Sequence, residues 1–252
     1  MKPHIREVRV KNILTKTGIP GFRYCINPYT GCSHACRYCY ATFMKRFTGH
    51  SEPWGSFVDV RINAAEVLRK QLKRAKRGAV ILSSVTDPYQ PAEMRYMMTR
   101  KCLDVLELFQ LPINILTKSP LVVRDLDILS RLNEVSVGLT ITSDDDDVRK
   151  LFEPEAPPVS ERIEALKKLC MAGIETYVFI GPVLPMNPEK LAGKIGRYAG
   201  RILVDTMNYK SKTVHLYRQH KLDQWLKGDY LSAIKSRLIN SLKGIDVEFC
   251  GS

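Results

Sequence analysis

A chain of 252 residues can hold one large α/β domain, or a core with a small appendage, without disulfides. No run approaches the roughly 20 apolar residues that span a bilayer, and Met1-Lys2-Pro3-His4-Ile5-Arg6 lacks an apolar signal core, so a cytoplasmic protein is expected. Net charge is +13, from 39 Lys+Arg against 26 Asp+Glu; the basic residues are dispersed and no interleaved aromatic–basic run is read, so this supports a nucleic-acid partner only weakly.

In chain order, residues 1–21 read as an extension wrapping a core at 22–206, with 207–252 as a tail that closes or lines it. Through the core, apolar runs alternate with amphipathic stretches, which argues for βα units and a parallel sheet. Strands are predicted at 22–27, 79–85, 113–117, 135–142, 175–180 and 202–205, and helices at 64–76, 99–109, 121–132, 160–172 and 189–198. Ser160 opens a helix in which Ile163, Leu166 and Leu169 recur at three-residue spacing, and Gly173 offers its left-handed stop. The acidic run at 144–147 reads as a helix N-terminus favoured by the macrodipole, with a magnesium site as the sharper alternative. In the tail, 213–217 and 245–249 read as strands and 230–242 as a helix. Spacing alone permits either a partial barrel or a doubly wound open sheet.

Three of the seven cysteines fall at Cys32, Cys36 and Cys39, with Tyr38 before the last. An iron–sulfur cube takes soft thiolate ligands, normally one for each iron. Three ligands packed this closely can wrap one cube and leave its fourth iron open, as a catalytic zinc keeps an open position. Adding Cys25 gives four sulfurs, enough for tetrahedral zinc in a non-enzymatic nucleic-acid-binding module. Such zinc sites usually use two Cys-x2-Cys pairs, however, and only one is present. Paired disulfides fit poorly, because the count is odd and no export signal is visible. His34 reads as filler or outer support for the motif. Cys102 and Cys170 occupy apolar helix positions as small hydrophobes, and Cys250 lies near the terminus.

Cys-x3-Cys-x2-Cys with an aromatic residue before the third cysteine resembles the cluster motif of the radical S-adenosylmethionine (SAM) superfamily. The resemblance implies an α/β fold built as a partial (β/α)6 barrel of the TIM type. It implies a [4Fe–4S] cluster on Cys32, Cys36 and Cys39, with S-adenosyl-L-methionine bound at the open iron. It further implies an electron donor such as a ferredoxin or flavodoxin, cleavage of the sulfonium bond, and a 5′-deoxyadenosyl radical that takes hydrogen from a substrate.

The segment from Ser83 to Glu93, with Thr86-Asp87-Pro88-Tyr89-Gln90-Pro91 at its heart, follows the second core strand, where parallel α/β architectures gather ligand groups. Taken with the cysteine loop, Leu116-Thr117-Lys118-Ser119-Pro120, Arg124-Asp125 and Leu151-Phe152-Glu153-Pro154, it resembles the spore photoproduct lyase-like subgroup over roughly 21–205. The resemblance makes Tyr38, Ser83, Ser84, Asp87, Lys118, Thr140, Thr142, Arg162 and Gly181 the cofactor-binding candidates. Lys118 and Arg162 suit the methionine carboxylate, Ser83 and Ser84 its amino group, Thr140 and Thr142 the ribose, and Gly181 the adenine. An ordinary ion pair is the plainer reading of Lys118 and Arg162. Val85 is a departure, since the lyase uses a cysteine hydrogen donor there and valine returns no hydrogen atom. Direct reversal of a thymine dimer by that route is therefore in doubt. Tyr89, Tyr96 and Cys25 are the candidate catalytic donors. The substrate is unidentified, with repair of a nucleic-acid lesion or modification of a base as the alternative reading.

Overall fold

The computed structural model describes residues 3–250; residues 1, 2, 251 and 252 of the expected terminal segments lie outside it. The chain opens with β1 (His4–Val8), β2 (Leu14–Lys16), β3 (Tyr24–Ile26) and β4 (Tyr29–Thr30). After the cysteine loop and a 3-10 helix at Tyr40–Phe47 come β5 (Phe57–Arg61) and α1 (Ala64–Leu72). The repeating part runs through β6 (Val80–Leu82), α2 (Glu93–Tyr96), α3 (Met98–Glu107), β7 (Ile113–Thr117), α4 (Leu126–Leu129) and β8 (Val135–Thr140). It continues with α5 (Asp146–Phe152), α6 (Val159–Met171), β9 (Glu175–Ile180), α7 (Pro188–Ile195) and β10 (Arg201–Val204). Then follow α8 (Val214–Gln219), α9 (Gly228–Ser241) and β11 (Asp246–Phe249).

Eight strands form one sheet in the order β11-β10-β9-β8-β7-β6-β3-β2. Every neighbouring pair is parallel except β2 with β3. The edges β11 and β2 are not paired with each other, so the sheet is an open, partial barrel. Parallel strands covered on both faces read as unbroken apolar runs, and Tyr24–Ile26 is buried throughout. The outer layer is amphipathic: α6 buries Val159, Ala165, Leu166 and Leu169, together with Arg162, and leaves its other charged residues outward. A smaller sheet, β1-β5-β4, sits at the start of the chain, and β4 leads into the cysteine loop.

Side-chain caps set several boundaries. Asn187 accepts from the Lys190 N–H with Pro188 in the first turn, and Asp145 accepts from the Asp147 N–H at the head of α5. Asp144 accepts from the Asn187 N–H at 2.7 Å, so the acidic run stitches α5 to α7.

Three expectations need correction. Residues 213–217 are not a strand: Val214–Gln219 is helical, which puts Leu216 and Tyr217 inward and the Tyr217 ring against Phe152 at 4.8 Å. The helix expected at 121–132 is a 3-10 turn at Pro120–Asp125 followed by Leu126–Leu129. The strand expected at 79–85 stops at Leu82, because Ser83 turns into the left-handed region at φ 69. Strand β5 and the helix at Tyr40–Phe47 were not foreseen.

Candidate active site

The cysteine loop is held by backbone geometry and by its neighbours. Gly31 has φ +85, and a Cβ there would lie 2.4 Å from the Phe57 carbonyl oxygen, so only glycine fits. Gln90 accepts from the Ser33 N–H and donates to the Gly31 carbonyl, both at 3.0 Å. Thr86 Oγ1 donates to the same carbonyl at 2.6 Å. The Arg37 N–H reaches the Phe152 carbonyl at 2.9 Å. From the tail, Lys212 Nζ donates to the Cys39 carbonyl at 2.6 Å and to Thr42 Oγ1 at 2.7 Å.

This anchored loop walls one side of a cavity of about 550 Å³ at the carboxyl ends of the strands. Cys32, Cys36 and Cys39 all line it, as do Tyr38, Ser83, Ser84, Asp87, Lys118, Thr140 and Gly181. Seven sequence-predicted cofactor residues are thus brought together with the three cysteines. Burial pushes the Cys36 thiol up to about 12, with Lys118 pulling the other way, and raises Cys32 and Cys39 as well. Buried thiols of this kind become thiolates when a metal centre takes them as ligands.

Beneath the wall lies a buried charge cluster centred on Glu153. Arg162 Nη2 is 2.6 Å from Glu153 Oε2, Thr142 Oγ1 donates to Oε1 at 3.0 Å, and the Tyr38 hydroxyl also donates to Oε1. Lys118 Nζ stands 3.9 Å from Oε1 and 5.7 Å from the Tyr38 ring centroid. Burial alone would raise the Glu153 carboxyl, but the Arg162 and Lys118 charges hold it down at about 2. Arg162 and Thr142 do not line the cavity; they brace Glu153, and Arg162 Nη1 also donates to the Thr140 carbonyl at 3.1 Å. The sequence reading quoted Glu153 within a motif but gave it no role. Its burial among cations is a tertiary fact that spacing does not carry.

Asp87 is fully engaged by the protein. It accepts from Thr117 Oγ1 at 2.6 Å and from the N–H groups of Lys118 and Tyr89 at 2.8 and 2.9 Å. His34 Nε2 lies 3.3 Å away, and His34 together with the Thr117 and Lys118 hydrogen bonds holds the buried Asp87 at about 2 against desolvation. Asp87 thereby ties the cysteine loop to the end of β7. Ser83 differs: its Oγ is buried on the cavity wall and has no partner, which leaves it free for a ligand.

The donor candidates stand back from the opening. Tyr89 is buried outside the cavity wall, and Tyr96 donates to Glu7 Oε1 at 3.1 Å near the surface. The Cys25 thiol donates to Ser84 Oγ at 3.1 Å, one hydrogen bond behind the wall. Val85 does line the cavity.

The donor set fits a cluster better than a single ion. Sulfurs around one zinc with bonds of about 2.3 Å sit roughly 3.8 Å apart. Among the described residues, the His, Cys, Asp and Glu trio with all ligand atoms within 4.8 Å of one another is His4, His50 and Glu52. Cys25 is engaged elsewhere, its thiol donating to Ser84 Oγ, which leaves the loop three thiols, the number that suits a cube with one iron open. Cys25 does not line the cavity that the three motif cysteines share, so the zinc-module expectation lacks its fourth sulfur there.

A partial parallel barrel with a three-cysteine loop over the carboxyl ends of its strands has the architecture of a radical-generating enzyme. Residues 26–193 match the Radical SAM superfamily, and the chain belongs to that superfamily, whose enzymes use a [4Fe–4S] cluster with SAM and need a reductant. The chain is 33% identical over 261 residues to the uncharacterized protein MJ0683 of Methanocaldococcus jannaschii, covering 99% of this chain and 97% of that protein. It is 30% identical over 162 residues to a radical SAM Nalpha-GlyT isomerase of Pseudomonas phage M6, covering 63% of this chain and 32% of that one. Spore photoproduct lyase complexed with dinucleoside spore photoproduct superposes with a TM-score of 0.71, covering 97% of this chain and 82% of the lyase at 14% identity, a likeness of fold alone. Another structure of that lyase contains bound AdoMet. No helix among the described residues is long and apolar enough to cross a membrane.

Proposed function

We propose that this enzyme cleaves SAM reductively at a [4Fe–4S] cluster held by Cys32, Cys36 and Cys39 and directs the radical at a base of a nucleic acid. The observation that carries the substrate class is a band of exposed aromatic and basic side chains beside the cavity mouth. Tyr40, Phe43 and Phe47 project from the 3-10 helix, Phe47 with 67% of its surface exposed. Arg46 lies over the Phe43 and Phe47 rings at 5.7 and 4.7 Å. Tyr209, also exposed, carries Lys212 Nζ 4.9 Å from its ring centroid. Tyr40 and Tyr209 line the cavity itself. Rings on which bases stack, interleaved with cations that track phosphates, are what single-strand binders use. The sequence reading passed over this segment, YATFMKRF at 40–47, because its short run of rings and cations says nothing by itself about exposure. The lyase of like fold is described with a dinucleoside photoproduct, which supports the same substrate class.

When bound, the cluster and SAM supply the electron and the 5′-deoxyadenosyl radical that start the chemistry. The protein's share is to bind, orient and shield. Lys118, at the end of β7, offers its ammonium to the methionine carboxylate. The unpartnered Ser83 Oγ and the Ser84 hydroxyl serve the amino group, and Thr140 and Gly181 border the nucleoside. Ile81, Leu116, Phe179 and Pro182 make the apolar part of the wall and keep water out. Val85 offers no abstractable thiol hydrogen, so the product radical is not quenched from that side. The tail at 207–252 acts in this reading as the outer wall of the opening, through Met207, Asn208 and Tyr209. A ferredoxin or flavodoxin is the reductant, and seven cysteines outside any disulfide suit a reducing cytoplasm.

The test pairs two readouts on anaerobically reconstituted protein. Substituting Phe43, Arg46 and Phe47 together by alanine should weaken binding of a fluorescent single-stranded oligonucleotide about tenfold or more. Formation of 5′-deoxyadenosine from SAM should persist. Binding that is absent in the parent protein, or indifferent to salt and to the triple substitution, removes the nucleic-acid reading.

A further inference from the structure

We propose that His4, His50 and Glu52 form a divalent transition-metal site, zinc by its donor chemistry, that fastens the N-terminal strand to the segment supporting the cysteine loop. Their ligand atoms all lie within 4.8 Å of one another. His4 comes from β1, and His50 and Glu52 from the turn between the 3-10 helix and β5. None of the three lines the cavity, so the site is distinct from the cluster.

The hydrogen bonding fixes which nitrogens are available. Asp59 accepts from Arg6 Nε at Oδ1 and from Arg6 Nη2 at Oδ2, both at 2.8 Å. His50 Nε2 lies 2.8 Å from Asp59 Oδ1, so Nε2 carries the proton and donates. In the neutral ring Nδ1 is then a bare lone pair, and it faces Glu52 Oε2 at 3.1 Å, an acceptor in its turn. The other Glu52 oxygen lies 2.6 Å from His4 Nδ1.

Facing lone pairs require something positive between them, either a second proton on His50 or a metal ion. Two features favour the metal. A carboxylate that orients a histidine through its far N–H, as Asp59 does for His50, is the outer partner that metal-bound imidazoles use. Two imidazoles and a carboxylate, with the exposed side near His4 open to water, also match the ligand number and type of zinc.

The location gives the site a purpose. The His50 ring stacks on Phe57 with centroids 4.1 Å apart, and Trp54 packs its edge against Phe57 at 5.8 Å. The Phe57 carbonyl is the atom for which Gly31 leaves room at the head of the cysteine loop. A metal at His50 therefore stiffens the backing of that loop from outside.

The experiment uses anaerobic protein carrying its iron–sulfur cluster, treated briefly with EDTA and then titrated with Zn(II). Metal content and the thermal unfolding midpoint are read together. One zinc per chain should bind alongside unchanged iron and raise the midpoint. His4→Ala and Glu52→Gln, both at the surface side of the site, should each weaken zinc binding about tenfold or more with iron content intact. No zinc beyond the cluster metal, or equal zinc affinity in the parent and both variants, overturns the proposal. So does a midpoint that follows pH through the histidine range and ignores zinc, since His50 would then be an imidazolium.

Discussion

Arg162 Nη2 lies 2.6 Å from Glu153 Oε2, and neither side chain reaches solvent. A pair this deep is costly to desolvate, and removing one partner strands the other. Glu153 also receives Tyr38 and Thr142, so the pair sets the angle at which Tyr38 enters the cysteine loop. Glu153→Gln should therefore lower the unfolding free energy by about 3–5 kcal/mol at neutral pH, measured by urea denaturation.

The same carboxylate gives a signed pH dependence. Its folded value of about 2 lies below the ordinary 4.5, so its contribution is complete above about pH 4.5 and is lost as pH falls toward 2. The stability gap between the parent protein and Glu153→Gln, measured on iron-free, reduced protein, should close across that window. A gap that stays constant from pH 6 to pH 3 would show that the charge contributes nothing.

The three motif thiols should separate cleanly from the other four. Replacing Cys32, Cys36 or Cys39 by alanine should abolish both the brown chromophore and 5′-deoxyadenosine formation. Cys102→Ala removes only a small buried side chain from α3 and should cost stability while iron content stays full. Iron retained after loss of any one motif cysteine would falsify the ligand assignment.

Much of the barrel was legible because parallel strands buried on both faces announce themselves as apolar runs, as 113–117 and 175–180 do. The cysteine trio was legible because its members are local in sequence. What escaped depends on distant contacts. β5 gains its meaning from pairing with β1 some fifty residues earlier, His4 opposite Phe57. The 213–217 run reads as a strand by its apolar residues, and the helix found there packs Tyr217 on the distant Phe152 ring. Glu153 looked like any acid after a helix until Arg162 and Lys118 closed around it.

Lys118 is the cation best placed for a ligand carboxylate. Its ammonium reaches the cavity wall, and Glu153, 3.9 Å away, is already served by Arg162. Burial works against its charge, but Cys36 and Glu153 outweigh it and raise its proton affinity, so it stays an ammonium throughout the working range. A charge-assisted bond of this kind is worth about 1.5–3 kcal/mol. Lys118→Met should accordingly raise the Kd for SAM by roughly 10- to 100-fold while iron content stays unchanged. Equilibrium binding of labelled SAM to the reconstituted protein reads both quantities, and an unaltered Kd would reduce Lys118 to a partner of Glu153.

Gly31 tests whether the loop's backbone, rather than its thiols alone, builds the site. An alanine there must adopt φ +85 and place its Cβ 2.4 Å from the Phe57 carbonyl. The left-handed conformation alone costs about 1–2 kcal/mol, and the clash adds to it because a carbonyl in the β4–β5 region cannot swing aside as a side-chain tip could. The loop should yield first, since Thr86 and Gln90 hold it only through the Gly31 carbonyl and the Ser33 group beside it. Gly31→Ala should therefore lose cluster iron by half or more while its far-ultraviolet circular dichroism stays that of the folded barrel. Full iron loading with unchanged SAM cleavage would mean that the cysteines find their positions without this turn.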